Sequence, residues 1–143
     1  LYLSIKKLGL KSSDKSEYYF LSHRLGIPQF KTENLQNKVF GIECNFDEIN
    51  GIDFKKGCYV GQENTSRIKL RNKLSKRLLP IEIIEGKACI DENIMIKDKI
   101  IGKILIDEIY PFALIKFKDE KVDYSDEYFS KSAKIKIIKP HWI

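Results

Sequence analysis

Two rhythms of apolar and polar residues divide the chain. In its first part Tyr18, Leu21 and Leu25 recur at helical spacing, Asp14 followed by Glu17 resembles a capping box, and Gly26 with Pro28 forms a stop. The spacing predicts an amphipathic helix over 15–25, preceded by a short strand over 1–8 that turns at Gly9. From 28 to 50 the periodicity fades and Asn, Gln and Glu accumulate, which predicts an irregular connector with one helical turn over 47–49. Beyond Ser75 the pattern becomes that of strands. Isoleucine-rich runs over 77–84, 94–97, 100–106, 112–118 and 133–139 are bounded by turn residues, and Ile135 and Ile137 alternate with Lys134 and Lys136. With Gly86, Gly102 and Lys118-Asp119-Glu120 read as turns, four or five short strands predict a small antiparallel barrel or sandwich. There is no internal repeat and no low-complexity tract.

Composition narrows the class. The chain has 143 residues, 43% of them hydrophobic, enough to bury a real core and to exclude global disorder. No apolar run approaches the ~20 residues of a membrane span, and the first residues lack the order of a signal peptide. A soluble, cytoplasmic protein without a membrane partner is the expectation. The chain starts Leu-Tyr-Leu without methionine, which reads as a fragment whose beginning is missing. The net charge of +6 rests on lysine, with only Arg24, Arg67, Arg71 and Arg77 as arginines, so a solvated lysine surface is expected before a phosphate clamp. Cys44, Cys58 and Cys89 are widely spaced and lack a Cys-x-x-Cys pair, which fits reduced thiols better than a disulfide framework or a zinc site. His23 and His141 are too far apart for a metal constellation, so no metal is expected and both histidines take packing or surface roles. Serine-hydrolase, phosphate-loop and dinucleotide fingerprints are absent.

One segment has a different composition from its surroundings. In Lys55-Lys56-Gly57-Cys58-Tyr59-Val60-Gly61-Gln62-Glu63-Asn64-Thr65-Ser66-Arg67 two glycines bracket a cysteine, and 62–67 can begin a helix. A cysteine near a helix start beside Lys55 and Lys56 is biased toward thiolate, and Glu63 places a carboxylate close to the same point. The alternative is a packed, inert thiol among solvated lysines. Cys44 and Cys89, without such surroundings, read as core or surface fillers.

Lys56 to Glu63 resembles, without mismatch over eight residues, the K-G-C-[YF]-x-G-Q-E signature of the YgfZ family, folate-binding proteins related to the aminomethyltransferase of the glycine cleavage system. The flanks are similar too: Gly26-Ile27-Pro28, Asn50-Gly51-Ile52-Asp53-Phe54, and the basic Arg67 and Arg71 after the motif. The resemblance covers roughly 18–80 well and the strand region by pattern. It implies an α+β protein, the C-terminal half of a longer family member. Residues 1–46 would end an α/β folate-binding domain, 47–75 would form the signature loop and helix, and 76–143 a small antiparallel β-barrel.

The resemblance also implies a function: use of tetrahydrofolate in support of iron–sulfur cluster assembly or repair, including for enzymes that modify transfer RNA. Folate and iron–sulfur enzymes or assembly factors would then be the partners. Cys58 would be the functional thiol, with Lys56, Gly57, Tyr59, Gly61, Gln62, Glu63, Arg67 and Arg24 around the cofactor. The family commonly carries an arginine four residues before the Gly-Ile-Pro glycine. That position is Ser22 here, with Arg24 two residues later, a departure that bears on folate affinity rather than on the resemblance. Two readings from other classes stand beside it: a folate-dependent one-carbon transferase like the aminomethyltransferase, and a basic RNA-binding module in which Tyr110, Phe112, Phe117 and Tyr124 stack on bases. For the strand region alone, a barrel that packs on the first domain and closes its pocket is the favoured reading.

Overall fold

A computed structural model describes residues 8–9, 13–57, 65–67, 69, 74–117 and 122–143. Helix α1 (Lys15–Arg24) is the one expected. Asp14 caps it by accepting from the Ser16 amide at 3.2 Å, while Glu17 pairs with the Ser13 hydroxyl instead of closing a reciprocal box. At the other end Gly26 takes φ +75°. Its N–H bonds the His23 carbonyl and that of Ile27 bonds Ser22, both at 2.9 Å, which is the Schellman arrangement. Trp142 Nε1 then donates to the Leu25 carbonyl at 2.9 Å, tying the helix end to the chain's last residues.

The buried face of α1 differs from the expected one. Tyr18 and Leu21 are more than half exposed, whereas Ser22 and His23 are buried and Tyr19 half-buried. Tyr19, Ser22, His23 and Gly26 therefore form the inward stripe. The end of the barrel supplies the reason, because the Pro111 carbonyl and the rings of Tyr110 and Phe112 meet His23 and Tyr19 there.

The connector holds one 3-10 turn, Thr32–Leu35, that its polar sequence did not advertise. At 47–49 a single i to i−4 bond, from the Ile49 N–H to the Asn45 carbonyl at 3.1 Å, closes the turn expected there.

Six antiparallel strands follow: β1 (Lys76–Gly86), β2 (Asn93–Ile96), β3 (Lys99–Ile106), β4 (Phe112–Lys116), β5 (Glu127–Phe129) and β6 (Ala133–Ile137). They close into a barrel in the order β1-β4-β3-β2-β5-β6. Closure runs through β1, which pairs with β4 over Lys76 to Pro80 and with β6 over Ile81 to Gly86. Pro80, which has no N–H to give a ladder, sits where β1 changes partner. Strand β5 was not expected: three residues are too few for a period, and only Tyr128 of the three is buried. The Tyr128 hydroxyl donates to the Asp123 carbonyl at 2.8 Å and accepts from the Asp123 N–H at 3.1 Å, which fixes the segment leading into β5. Lys118-Asp119-Glu120 and, of the strand expected over 1–8, residues 1–7 lie outside the described residues, while Leu8 and Gly9 stand in a turn.

Two cores explain why β1, β3 and β4 read as continuous apolar runs. Leu79, Ile81, Ile104, Ala113, Ile115, Ile135 and Ile137 fill the barrel interior. The alternate residues Leu78, Leu105 and Phe112 face outward, yet they are buried under the connector's Leu35 and Cys44. Both faces of these strands are covered, so the polar half of the alternation disappears. Gly102, expected in a turn, lies inside β3, where a Cβ would stand 2.8 Å from the Leu114 carbonyl oxygen and from Ile115 Cδ1. Among the described residues no helix is long and apolar enough to cross a membrane.

Candidate functional site

The connector meets the barrel at a junction built from polar contacts. Asn45 is wholly buried, with φ +65°. Its Nδ2 donates to the Leu78 carbonyl at 2.7 Å, and its Oδ1 accepts from Arg77 Nη1 at 3.3 Å. Arg77 also pairs with Glu48, and both side chains are about three-quarters buried (24% and 22% exposed), so this pair is screened less than a surface one. The Leu78 N–H returns a bond to the Glu43 carbonyl at 2.8 Å. These contacts hold the connector against the first turn of the barrel.

A second clasp joins the two sides of 58–64. Lys69 Nζ lies 2.9 Å from Asp47 Oδ1 and 3.8 Å from the centroid of the Phe54 ring, so one ammonium binds a carboxylate and an aromatic face that both precede the loop. Residues 65–67 and 69 are helical, in keeping with the helix expected to begin within 62–67. The Lys55 N–H bonds the Asp53 side chain at 2.8 Å and turns the chain into the signature. Lys56, Gly57 and Arg67 are exposed. Cys58, Tyr59, Gly61, Gln62 and Glu63 lie outside the described residues.

Arg24 is exposed, its guanidinium 5.8 Å from the Phe20 ring centroid. It borders a cleft of about 320 Å³ between α1 and β1, with His23, Glu82 and Tyr110. Lys56, Gly57 and Arg67 do not border that cleft, so the described residues that carry the folate expectation do not line this cavity together. Ser22, at the position where the resemblance led one to expect an arginine, is buried and donates its hydroxyl to the Tyr18 carbonyl at 2.8 Å.

His23 has the packing role expected of it. Its Nε2 lies 2.8 Å from the Pro111 carbonyl oxygen, which can only accept, so Nε2 carries the proton. Burial holds its pKa below the usual value and the Arg24 charge adds to this, against the Pro111 bond and Glu82, which raise it. His23 is therefore folded in its neutral form. The unfolded chain takes up the proton first on acidification, so this contribution to stability is complete above about pH 6.5 and is lost as pH falls below it. The urea midpoint is expected to fall between about pH 7.5 and 5.5, where carboxylates remain ionised, and His23→Gln is expected to flatten that slope.

The other cysteines also fall as expected. Burial, helped by Glu43, pushes the Cys44 thiol up to about 11, which keeps it protonated and inert. Cys89 is exposed, 4.0 Å from the Ser132 hydroxyl. Among the described residues no three His, Cys, Asp or Glu gather as metal ligands. The aromatics proposed as base-stacking surfaces are used in packing: Phe112 is core, Phe117 and Tyr124 pack on the barrel core, and the half-buried Tyr110 donates its hydroxyl to the Ser16 carbonyl at 3.1 Å. Asn45, Glu48 and Arg77 were missed from sequence. Their only local mark is an asparagine, the residue that most readily adopts positive φ after glycine.

The described residues thus form a closed six-stranded barrel joined to its connector by a polar junction. Proteins similar to the chain are iron–sulfur cluster assembly factors. It is 47% identical over 75 residues to the mitochondrial iron–sulfur cluster assembly factor IBA57 homolog of Neurospora crassa, a stretch covering 52% of this chain and 17% of that protein. The corresponding proteins of Dictyostelium discoideum and Yarrowia lipolytica are 37% and 34% identical, over 59% and 53% of this chain and 22% and 16% of their own length. The matched stretch is less than a quarter of each of these relatives. No family model matches the chain. The expected cytoplasmic location is overturned by this comparison, because these relatives are mitochondrial proteins.

Proposed function

We propose that the chain belongs to a mitochondrial factor that supports iron–sulfur cluster assembly through the cysteine loop, with Cys58 as its working thiol and the assembly machinery as its partner. The observation that carries this reading is the similarity to the Neurospora crassa assembly factor, at 47% identity over half of this chain. The eight-residue Lys56–Glu63 signature supports the finer reading, in which tetrahydrofolate is the ligand of the loop and the clients include enzymes that modify transfer RNA. The clasp at Lys69 supports it as well, since a reactive loop must be presented in one position to act on a partner.

Restoration of iron–sulfur enzyme activity in cells lacking their own such factor tests the reading. The protein carrying this chain, delivered to mitochondria, is expected to restore it, and failure while correctly folded and localised overturns the proposal. Calorimetry with tetrahydrofolate separates the ligand from the role: binding that survives Cys58→Ala makes the thiol a group that acts beside the bound ligand. No binding removes folate and leaves the assembly role to stand on restoration alone.

A further inference from the structure

The outer face of the barrel carries a groove of about 270 Å³. Lys76, Lys103 and Lys116 line it with Asn93, and Ile100 and Leu114 give it an aliphatic side. Among the described residues no carboxylate lines it. Lys76 of β1 and Lys116 of β4 are direct cross-strand partners, which puts two like charges side by side on one face of the sheet. Such a pair opposes folding, and a barrel has no structural need of it. Lys103 lies 3.5 Å from Asp91, but that carboxylate is shared with Lys38 at 3.0 Å. Among the described residues neither Lys76 nor Lys116 is paired with a carboxylate.

We infer that this groove docks an acidic segment of a partner protein, with an aliphatic side chain of that segment seated on Ile100 and Leu114. Charge complementarity selects an anion, and the lining selects among anions. Among the described residues no arginine fork and no aromatic ring borders the groove, and these are the groups with which single-stranded RNA readers grip phosphates and stack bases. Lysine ammoniums beside aliphatic carbon match carboxylates interspersed with an aliphatic residue. The inference rests on neither the thiol nor folate, since none of its observations involves them.

Lys116→Glu is the decisive variant, because it turns the repulsive Lys76 pair into an attractive one and so withdraws two positive charges from the groove without opposing the fold. The probe is a short fluorescein-labelled peptide of glutamates flanking one leucine, titrated into the full chain by anisotropy. Wild type is expected to bind it, Lys116→Glu to weaken binding about tenfold or more, and Ile100→Ser to weaken it severalfold. Lys131→Glu, the same charge change in the turn after β5, is expected to cost less than about twofold. The unfolding midpoint of Lys116→Glu should equal or exceed that of wild type; if it falls, Lys116→Gln replaces it in the titration. Absence of binding overturns the inference, as does an equal loss in Lys131→Glu. Oligouridylate that displaces the peptide with the same dependence on Lys116 also overturns it, in favour of RNA.

Discussion

Cys58→Ser abolishes restoration of iron–sulfur enzyme activity while leaving the unfolding midpoint where it was. Serine keeps nearly the same volume and removes only what a thiol can do, which is to ionise near neutral pH, attack an electrophile or bind a soft metal. Its hydroxyl stays protonated at any pH the protein meets. The stability change is expected to stay within about 0.5 kcal/mol, the range of substitutions that disturb no packing. Activity at the level of the empty control, with an unchanged urea midpoint, is the expected pair of results. A serine variant that restores client activity would remove Cys58 from the mechanism and return the loop to a purely structural part.

Phe112→Ala acts in the opposite way, on the fold rather than the activity. The ring is 1% exposed, lies edge-on to His23 with centroids 5.1 Å apart, and packs with Leu35, Cys44, Leu78, Leu105 and Ile106 where the connector covers the barrel. Truncation leaves a cavity between two elements that each keep other anchors, so the expected loss is about 3–5 kcal/mol in urea unfolding. Phe112→Leu, which keeps most of the volume, should cost less than about 1.5 kcal/mol. Because Cys44 lies in the same cluster, mass spectrometry after maleimide treatment gives a second readout: Cys44 should label faster in the alanine variant than in wild type. Had Phe112 been a base-stacking side chain, the alanine variant would lose RNA affinity at unchanged stability. A change below about 1 kcal/mol would show that the connector does not depend on this ring.

The resemblance at Lys56–Glu63 and the fold were legible for different reasons. Eight consecutive residues with a cysteine between glycines are a local property, and local properties survive in a bare sequence. The same holds for α1, whose ends are written in Asp14 and Gly26 and whose capping needs only near neighbours. Five of the six strands were visible as isoleucine runs between turn residues. Strand β5 was not, because its place is set by pairing with β2 and β6 rather than by its own three residues.

The site was less legible than the fold. Arg77 looked like one basic residue among many at the start of a strand. Only the connector's return across β1 brings Asn45 and Glu48 to it, residues about thirty positions upstream in the chain. The helix shows the same limit. Tyr18, Leu21 and Leu25 have the right spacing for a buried stripe, but Tyr19, Ser22 and His23 are turned to the barrel, since a carbonyl and two aromatic rings wait there for an imidazole. Hydrophobic spacing counts what a face could bury and is blind to a polar partner on the opposing surface.

By itself, then, the sequence determined the helix and, to within a few residues, five of the six strands, that these form an antiparallel barrel or sandwich, and which thiol stands in unusual company. Those outcomes rest on capping, backbone preference and side-chain alternation, which act over a few residues. The tertiary structure alone decided which faces are covered, how β1 divides itself between β4 and β6, which of the lysines stand opposed, and how Arg77 joins the connector to the barrel. Each of these depends on contacts between residues far apart in the chain, whose energies appear only once the barrel has closed and brought them together.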